Sequence, residues 1–272
     1  MSYEQYFGLT EQPFSNAPDS RFYYDSEQHQ EAMIKIMHAL ETMKGLVVML
    51  GDIGAGKTLL ARKVLETLEQ DDKYVESLLV IVHSEINASW LLKRIALQIG
   101  IENPAESKEV LLPQFYNRLM EIHDSGKNAV VLIDEANMLK TKEIFEELRG
   151  LLNLEIPGRK LISIVLIGLP ELEENIALDA PLQQRVAIKF KLRSLDKAGT
   201  INYIKHRLKI AGASKELFTL ASTEAVFAYS KGTPRVINTI CDNCLLEAFL
   251  MKKDQVNVEI VKNVAEDMNF IR

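Results

Sequence analysis

The sequence predicts an α/β fold, a parallel sheet sandwiched by helices, followed by a C-terminal all-helical lid. Three observations predict it. Apolar runs of strand length alternate with helix-period segments over most of the chain, the pattern of a parallel sheet with helical crossovers. Most of those runs are continuously apolar, as strands buried on both faces must be. After Ser194 the strand-like runs stop and only helical periodicity remains.

Strands are expected at Leu46–Leu50, Leu78–His83, Ala129–Ile133, Leu161–Ile167 and Val186–Leu192. Helices are expected at Lys57–Glu69, Ala88–Ile99, Lys108–Asp124 and Lys142–Leu154, long enough for right-handed crossovers. The helical region divides into Asp196–Ala211, Ser214–Ser230, Pro234–Met251 and Asn257–Met268. Gly212 and Gly232 act there as helix stops, and Pro234 suits a first turn. Residues 1–25, which hold Phe7, Pro13, Phe14, Pro18, Phe22, Tyr23 and Tyr24, read as an irregular arm packing its aromatics on the base. A helix over Ser26–Lys44 then leads into the first strand. The expected organisation is an arm (1–25), an α/β base (26–194) and a helical lid (195–272).

Composition narrows the classes. A chain of 272 residues exceeds one average domain and falls short of two full ones. With 47% hydrophobic and 26% charged residues it is ordinary for a globular protein, which excludes a largely disordered chain. The net charge is −6, and from Asp196 onward 11 basic side chains face 9 acidic ones, so no block announces a nucleic-acid surface. The start, MSYEQYFGLTEQPF, lacks the basic and apolar regions of a secretion signal. No segment approaches the ~20 apolar residues that span a bilayer. A cytoplasmic location is expected, with any membrane association borrowed from a partner. Cys241 and Cys244 lie at i, i+3 on one helix face; a single pair cannot complete a four-ligand zinc site, and they read as small apolar residues in a reduced core.

GDIGAGKT, running through Gly51, Asp52, Ile53, Gly54, Ala55, Gly56, Lys57 and Thr58, matches the P-loop pattern and sits where it should, after an apolar strand and before a helix that continues at Leu59. Glycines let backbone N–H groups turn inward on phosphates, and a helix N-terminus favours an anion. Lys57 is expected on the β and γ phosphates and the Thr58 hydroxyl on Mg²⁺, so the implied cofactors are ATP and Mg²⁺ and the base is a P-loop NTPase. The strand Ala129–Ile133 ends in Asp134 and Glu135. Acidic residues after a strand often serve only as helix caps. Downstream of a P-loop at crossover spacing they read as a metal-facing Asp134 and a general base, Glu135, for the attacking water.

Two arginines extend the set. Arg185, in APLQQR, lies before the last strand, where it is expected to reach a neighbouring subunit's γ-phosphate as an arginine finger. Arg235, next to Pro234 in KGTPR, opens a lid helix and is expected to fold the lid onto the same phosphates. The bland alternative for both is a solvated surface arginine. Phe14 and Pro13 are read as lining the adenine on apolar character alone, Trp90 as core or subunit interface, and His83 as a packed or capped strand-end histidine.

The series FGLTEQPF with PDSRFYY, GDIGAGKT, VVLIDEAN, FEELRGLLNLE, IVLIGLPEL, APLQQRV, YIKHRL and GTPRVINTICDNCLLEA resembles the AAA+ ATPase domain of the general secretion pathway protein A (ExeA/GspA-like) family, including short relatives in mannose-sensitive haemagglutinin pilus biogenesis. The likeness runs from Tyr3 to Ala265. It implies an ATP-dependent homo-oligomeric ring, a hexamer, with Arg185 as finger and Arg235 as second sensor, and with secretion or pilus assembly proteins at the inner membrane as partners. Longer relatives continue into a membrane-spanning helix and a peptidoglycan-binding domain. This chain ends at Arg272, which is expected of a stand-alone member, an adaptor or an excised domain.

Two departures bear on activity. Relatives carry a polar residue, typically glutamine, where this chain has Leu169. Leucine cannot hydrogen-bond a water, so slow hydrolysis is expected. Asn137, where relatives often have glutamine, is a conservative change. Two other readings stay open: a transposition-type ATPase that binds DNA, which the charge pattern disfavours, and a non-hydrolysing scaffold locked by nucleotide.

Overall fold

The computed structural model describes residues 2–83 and 85–270. The chain divides into two compact units. One comprises Glu27–Ile53 and Lys57–Leu192; the other gathers the N-terminal segment through Ser26, the short stretch Gly54–Gly56, and the chain from Arg193 onward.

In chain order, helix α1 (Tyr3–Phe7) and a 3-10 turn at Ser20–Phe22 precede α2 (Glu27–Glu41), β1 (Leu46–Gly51), α3 (Lys57–Glu69), β2 (Tyr74–Val80) and α4 (Ala88–Gln98). Then come α5 (Lys108–Asp124), β3 (Asn128–Asp134), α6 (Lys142–Leu152), the short pair β4 (Glu155–Ile156) and β5 (Arg159–Lys160), and β6 (Ile162–Gly168). Two brief helices, α7 (Glu171–Ile176) and α8 (Ala180–Gln183), lead into β7 (Val186–Leu192). The remainder is helical: α9 (Lys197–Ile210), α10 (Leu220–Ser230), α11 (Pro234–Leu250) and α12 (Val258–Asp267).

The first unit is built on a five-stranded parallel sheet ordered β2-β3-β6-β1-β7. Every residue of β1, β3 and β6 is buried, odd and even positions alike, so helices cover both faces. This is the expected sandwich. Its order matters for the site, because β6 lies between β1 and β3 and sets the C-terminal tips of all three side by side. Ligands of open α/β sheets bind at such tips.

The expected strand Leu78–His83 is displaced toward the N-terminus, to Tyr74–Val80. β2 is an outer strand, so it tolerates half-exposed Val75 and Glu76 that a search for unbroken apolar runs passes over. Beyond its end, Val82 is 79% exposed. The helices α7 and α8 are too short to show a period, and the β4–β5 pair has only two residues a strand; none of them was expected.

The second unit holds the largest correction. The N-terminal segment packs its aromatics within this unit. Tyr3, Phe7, Phe14 and Phe22 lie in one buried cluster with Tyr203, Ile204, Phe218, Ile237, Cys241 and Leu245 of the lid helices. Nor is the segment wholly irregular, since Ser2 and Gln5 form a capping box that starts α1. Four modest helices have little apolar surface to enclose, and each buried phenylalanine adds ~1.5–3 kcal/mol. Polar contacts complete the attachment: Tyr3 Oη donates to Asp242 Oδ1 at 2.6 Å, and Arg207, 4% exposed, donates to the carbonyls of Pro13 at 2.5 Å and Ser15 at 3.0 Å. Cys241 and Cys244 are fully enclosed, and burial pushes the Cys244 thiol up to about 12, as suits an apolar packing role. Among the described residues no helix is long and apolar enough to cross a membrane.

Candidate functional site

β1 ends at Gly51 and α3 begins at Lys57, so the P-loop occupies the turn between a buried strand and a helix N-terminus. Gly54 and Gly56 have φ of +76° and +99°, values that side chains resist and that let consecutive backbone N–H groups converge. Asp52 and Ile53 are exposed, Ala55 is buried, and Leu59 is half-buried on the first turn of α3.

Lys57 is 7% exposed, and its Nζ donates to the carbonyls of Gly51 at 2.9 Å and Asp52 at 3.0 Å. The cation is thus held against the loop that it closes, with two of its three donors used. Burial lowers its pKa from the ordinary lysine value, and the charges of Glu135, Asp134 and Asp52 oppose that shift. Thr58 Oγ1 donates to Asp134 Oδ2 at 2.7 Å, while the Glu135 backbone N–H donates to the other oxygen, Asp134 Oδ1, at 2.9 Å. Asp134 is 1% exposed, and both its oxygens are fixed. A hydroxyl and a carboxylate in contact form a hard oxygen donor set, which suits Mg²⁺ in chemistry and charge.

Glu135 has φ 56° and ψ 33°, a left-handed conformation that costs a residue with a side chain ~1–3 kcal/mol. Such strain collects at working sites, and here it turns a half-buried carboxylate off the strand axis. The structure therefore brings Lys57, Thr58, Asp134 and Glu135 together.

Arg185, Arg235 and Phe14 make other contacts. Arg185 is exposed after α8, where its Nη1 donates to Asn153 Oδ1 at 2.5 Å and to the Arg149 carbonyl at 3.3 Å, at the C-terminal end of α6. Arg149 in turn donates through Nε to Asp179 Oδ2 at 2.9 Å, and Asp179 caps α8 by accepting from the Leu182 N–H. In the second unit Pro234 and exposed Arg235 open α11, and the Arg235 N–H donates to the Gly54 carbonyl at 3.3 Å. A Cβ on Gly54 would fall 2.6 Å from Arg235 Cβ, so that approach requires glycine. Phe14, 2% exposed, meets Phe218 edge-on and serves the core of this unit. Trp90 stacks edge-on with His83 at 5.5 Å and carries Arg94 over its ring, an arrangement apart from the P-loop contacts.

Sequence reasoning missed the fastenings around this set: Asn153 beside Arg185, the Arg149–Asp179 pair, and the bonds of Asn137 to Leu169 and Asn175. No motif marks them, because each joins elements far apart in the chain. A cavity of about 200 Å³ among Val48, Glu173, Ile176, Gln183, Val186 and Lys189 contains none of the predicted residues.

The chain is similar to known proteins. The AAA domain family matches residues 40–176. General secretion pathway protein A of Aeromonas hydrophila is 34% identical over 274 residues, which cover 99% of this chain and 49% of that protein. The chain thus spans about half the length of the curated relative it matches. Among solved structures, Cdc6p from Pyrobaculum aerophilum superposes with a TM-score of 0.70 at 17% identity, over 94% of this chain and 70% of the other. A chain of the Drosophila ORC bound to DNA gives 0.71 at 16%, over 98% and 66%. At such identities the two support the fold alone. With a matched family region that contains both the P-loop and the Asp134–Glu135 pair, the chain belongs to the AAA domain family.

Proposed function

We propose that this chain binds ATP with Mg²⁺ and hydrolyses it slowly, in a ring whose neighbours complete each site, and that the cycle drives or regulates assembly of a cell-envelope secretion or type IV pilus machine. The observation that carries the hydrolytic reading is the Thr58–Asp134 contact beside Glu135, with Lys57 held against its own loop, at the adjoining tips of β1, β6 and β3.

In this reading the β and γ phosphates rest on the N–H groups from Gly54 to Thr58 and on the Lys57 ammonium. Asp134 and Thr58 would hold Mg²⁺, which when bound neutralises charge on the phosphates. Glu135 takes the proton of the attacking water, so that its oxygen can displace ADP from the γ-phosphorus. Arg185, exposed on its own subunit, is presented to the neighbour's γ-phosphate, and Arg235 with Pro234 reports nucleotide state to the lid helices. A finger supplied in trans makes activity depend on assembly.

The secretion role follows from the likeness to the Aeromonas protein, and the pilus role extends the family resemblance of the chain's motifs. A cytoplasmic ring, peripheral to the inner membrane through its partners, fits both. The net charge of −6 favours protein partners over DNA. A second reading, a nucleotide-locked scaffold without turnover, draws on Leu169, whose side chain cannot hold a water.

Phosphate release measured across a range of protein concentrations decides between them. The hydrolytic reading expects wild-type turnover that climbs faster than linearly and a Glu135→Gln variant that binds ATP with at least a hundredfold lower turnover, on the order of what loss of a general base costs. Equal release by both proteins supports the scaffold.

A further inference from the structure

Asn137 sits in the middle of the 3-10 turn Ala136–Met138, which begins directly after Glu135. It is 5% exposed, and its buried polar groups are spent on two distant segments. Asn137 Oδ1 accepts the backbone N–H of Leu169 at 3.0 Å, and its main-chain oxygen accepts from Asn175 Nδ2 at 3.0 Å. Leu169 follows the last residue of β6, the strand between the two that carry Gly51 and Asp134. Asn175 belongs to α7, which leads through α8 to Arg185.

Steric fit is as restrictive as the bonding. A Cβ built on Gly168 would lie 2.8 Å from Asn137 Oδ1 and 3.0 Å from its backbone nitrogen, so glycine at that position lets the carboxamide close on the strand end. Glu135, immediately upstream, holds a left-handed backbone that its surroundings must enforce. Asn137 pins the turn that follows Glu135 to the residue after β6 and to α7.

We propose that Asn137 is a positioning residue for hydrolysis: it holds Glu135 in its left-handed pose through Leu169 and links that pose, through Asn175, to the segment that presents Arg185. The inference rests on the hydrolytic reading above. A buried asparagine that merely stabilised the loop would lower the melting temperature without separating kcat from KM. A positioning role separates them, because ATP binding uses the P-loop while turnover uses Glu135.

The kinetic test compares Asn137→Ala with Gly168→Ala, which keeps the asparagine and displaces its carboxamide. Both are expected to lower kcat about tenfold or more while KM for ATP stays within twofold, the scale on which lost outer-shell support acts. Asn137→Gln, which keeps an acceptor, is expected to recover part of that loss. Unchanged kcat in both alanine variants, or KM rising in step with the loss, overturns the proposal. Amide hydrogen exchange gives a readout independent of turnover. Addition of ATPγS should change exchange over 169–185 in the wild type and leave it unchanged in Asn175→Ala; the same response in both removes the link to Arg185. If wild-type release does not exceed that of Glu135→Gln, the hydrolytic reading itself has failed, whereas the exchange comparison needs only binding and still decides the linkage.

Discussion

Thr58 Oγ1 and Asp134 Oδ2 lie 2.7 Å apart, joining the first turn of α3, the helix that follows β1, to the tip of β3. The contact tests the metal assignment directly. Thr58→Ala removes the hydroxyl and leaves the Asp134 carboxylate with the Glu135 N–H. Nucleotide affinity with Mg²⁺ is expected to fall about tenfold or more, with little change when Mg²⁺ is withheld. Titration of a fluorescent ATP analogue with and without the metal checks this, and equal losses in both conditions would refute the role.

Arg185 is exposed and held by Asn153 and the Arg149 carbonyl. As a finger acting in trans, its loss should leave ATP binding intact and cut assembled turnover on the order of a thousandfold. The steep dependence of activity on Arg185→Ala concentration should vanish as well. Mixing Arg185→Ala with Glu135→Gln gives the sharper check, because each supplies what the other lacks and activity should partly return. A mixture as inactive as its components argues against a shared site.

Leu169 lies half-buried at the end of β6, where its N–H is bonded to Asn137 and its side chain offers nothing to a water. Leu169→Gln is expected to raise turnover on the order of tenfold without changing ATP affinity. Steady-state phosphate release measures it. No change would show that slow turnover has another origin.

Asp179 links stability to pH. Burial raises its pKa, but the Arg149 side chain and the Leu182 N–H outweigh burial and hold the carboxyl below its ordinary 3.8. Because the folded value lies below the unfolded one, the contribution to stability is complete above about pH 4 and disappears as pH falls through the folded value. Asp179→Asn, which keeps an acceptor for the Leu182 N–H, should remove up to about 1 kcal/mol at pH 7, through a pair whose arginine is partly exposed. Urea unfolding at pH 7 and pH 3.5 checks it: the difference between wild type and variant should shrink at the lower pH, and a constant difference would be inconsistent with a titrating Asp179.

Much of this arrangement was legible in the chain because its signals are local. The P-loop needs glycines, a lysine and a threonine at fixed spacing between strand and helix, and every one of those requirements is a matter of neighbouring residues. The β3 run ending in Asp134 is equally local. β2 was misplaced because an outer strand need not be apolar throughout, and α7 and α8 were missed because they complete too few turns to show a period.

Sequence by itself determined the parallel sheet, the helical C-terminal region, and the residues at the tips of β1 and β3, since strand burial, helix period and phosphate chemistry all act through short-range spacing. Only the tertiary structure decided what those residues touch. Phe7, Phe14 and Phe22 advertise burial but not its partner, and they joined the lid helices rather than the base. Asn137 reads as one polar residue after a strand until β6 is placed between β1 and β3, bringing Leu169 within 3.0 Å of its side-chain oxygen. A hydrogen bond depends on position in space, and strand order, which no local pattern encodes, is what brings such distant positions together.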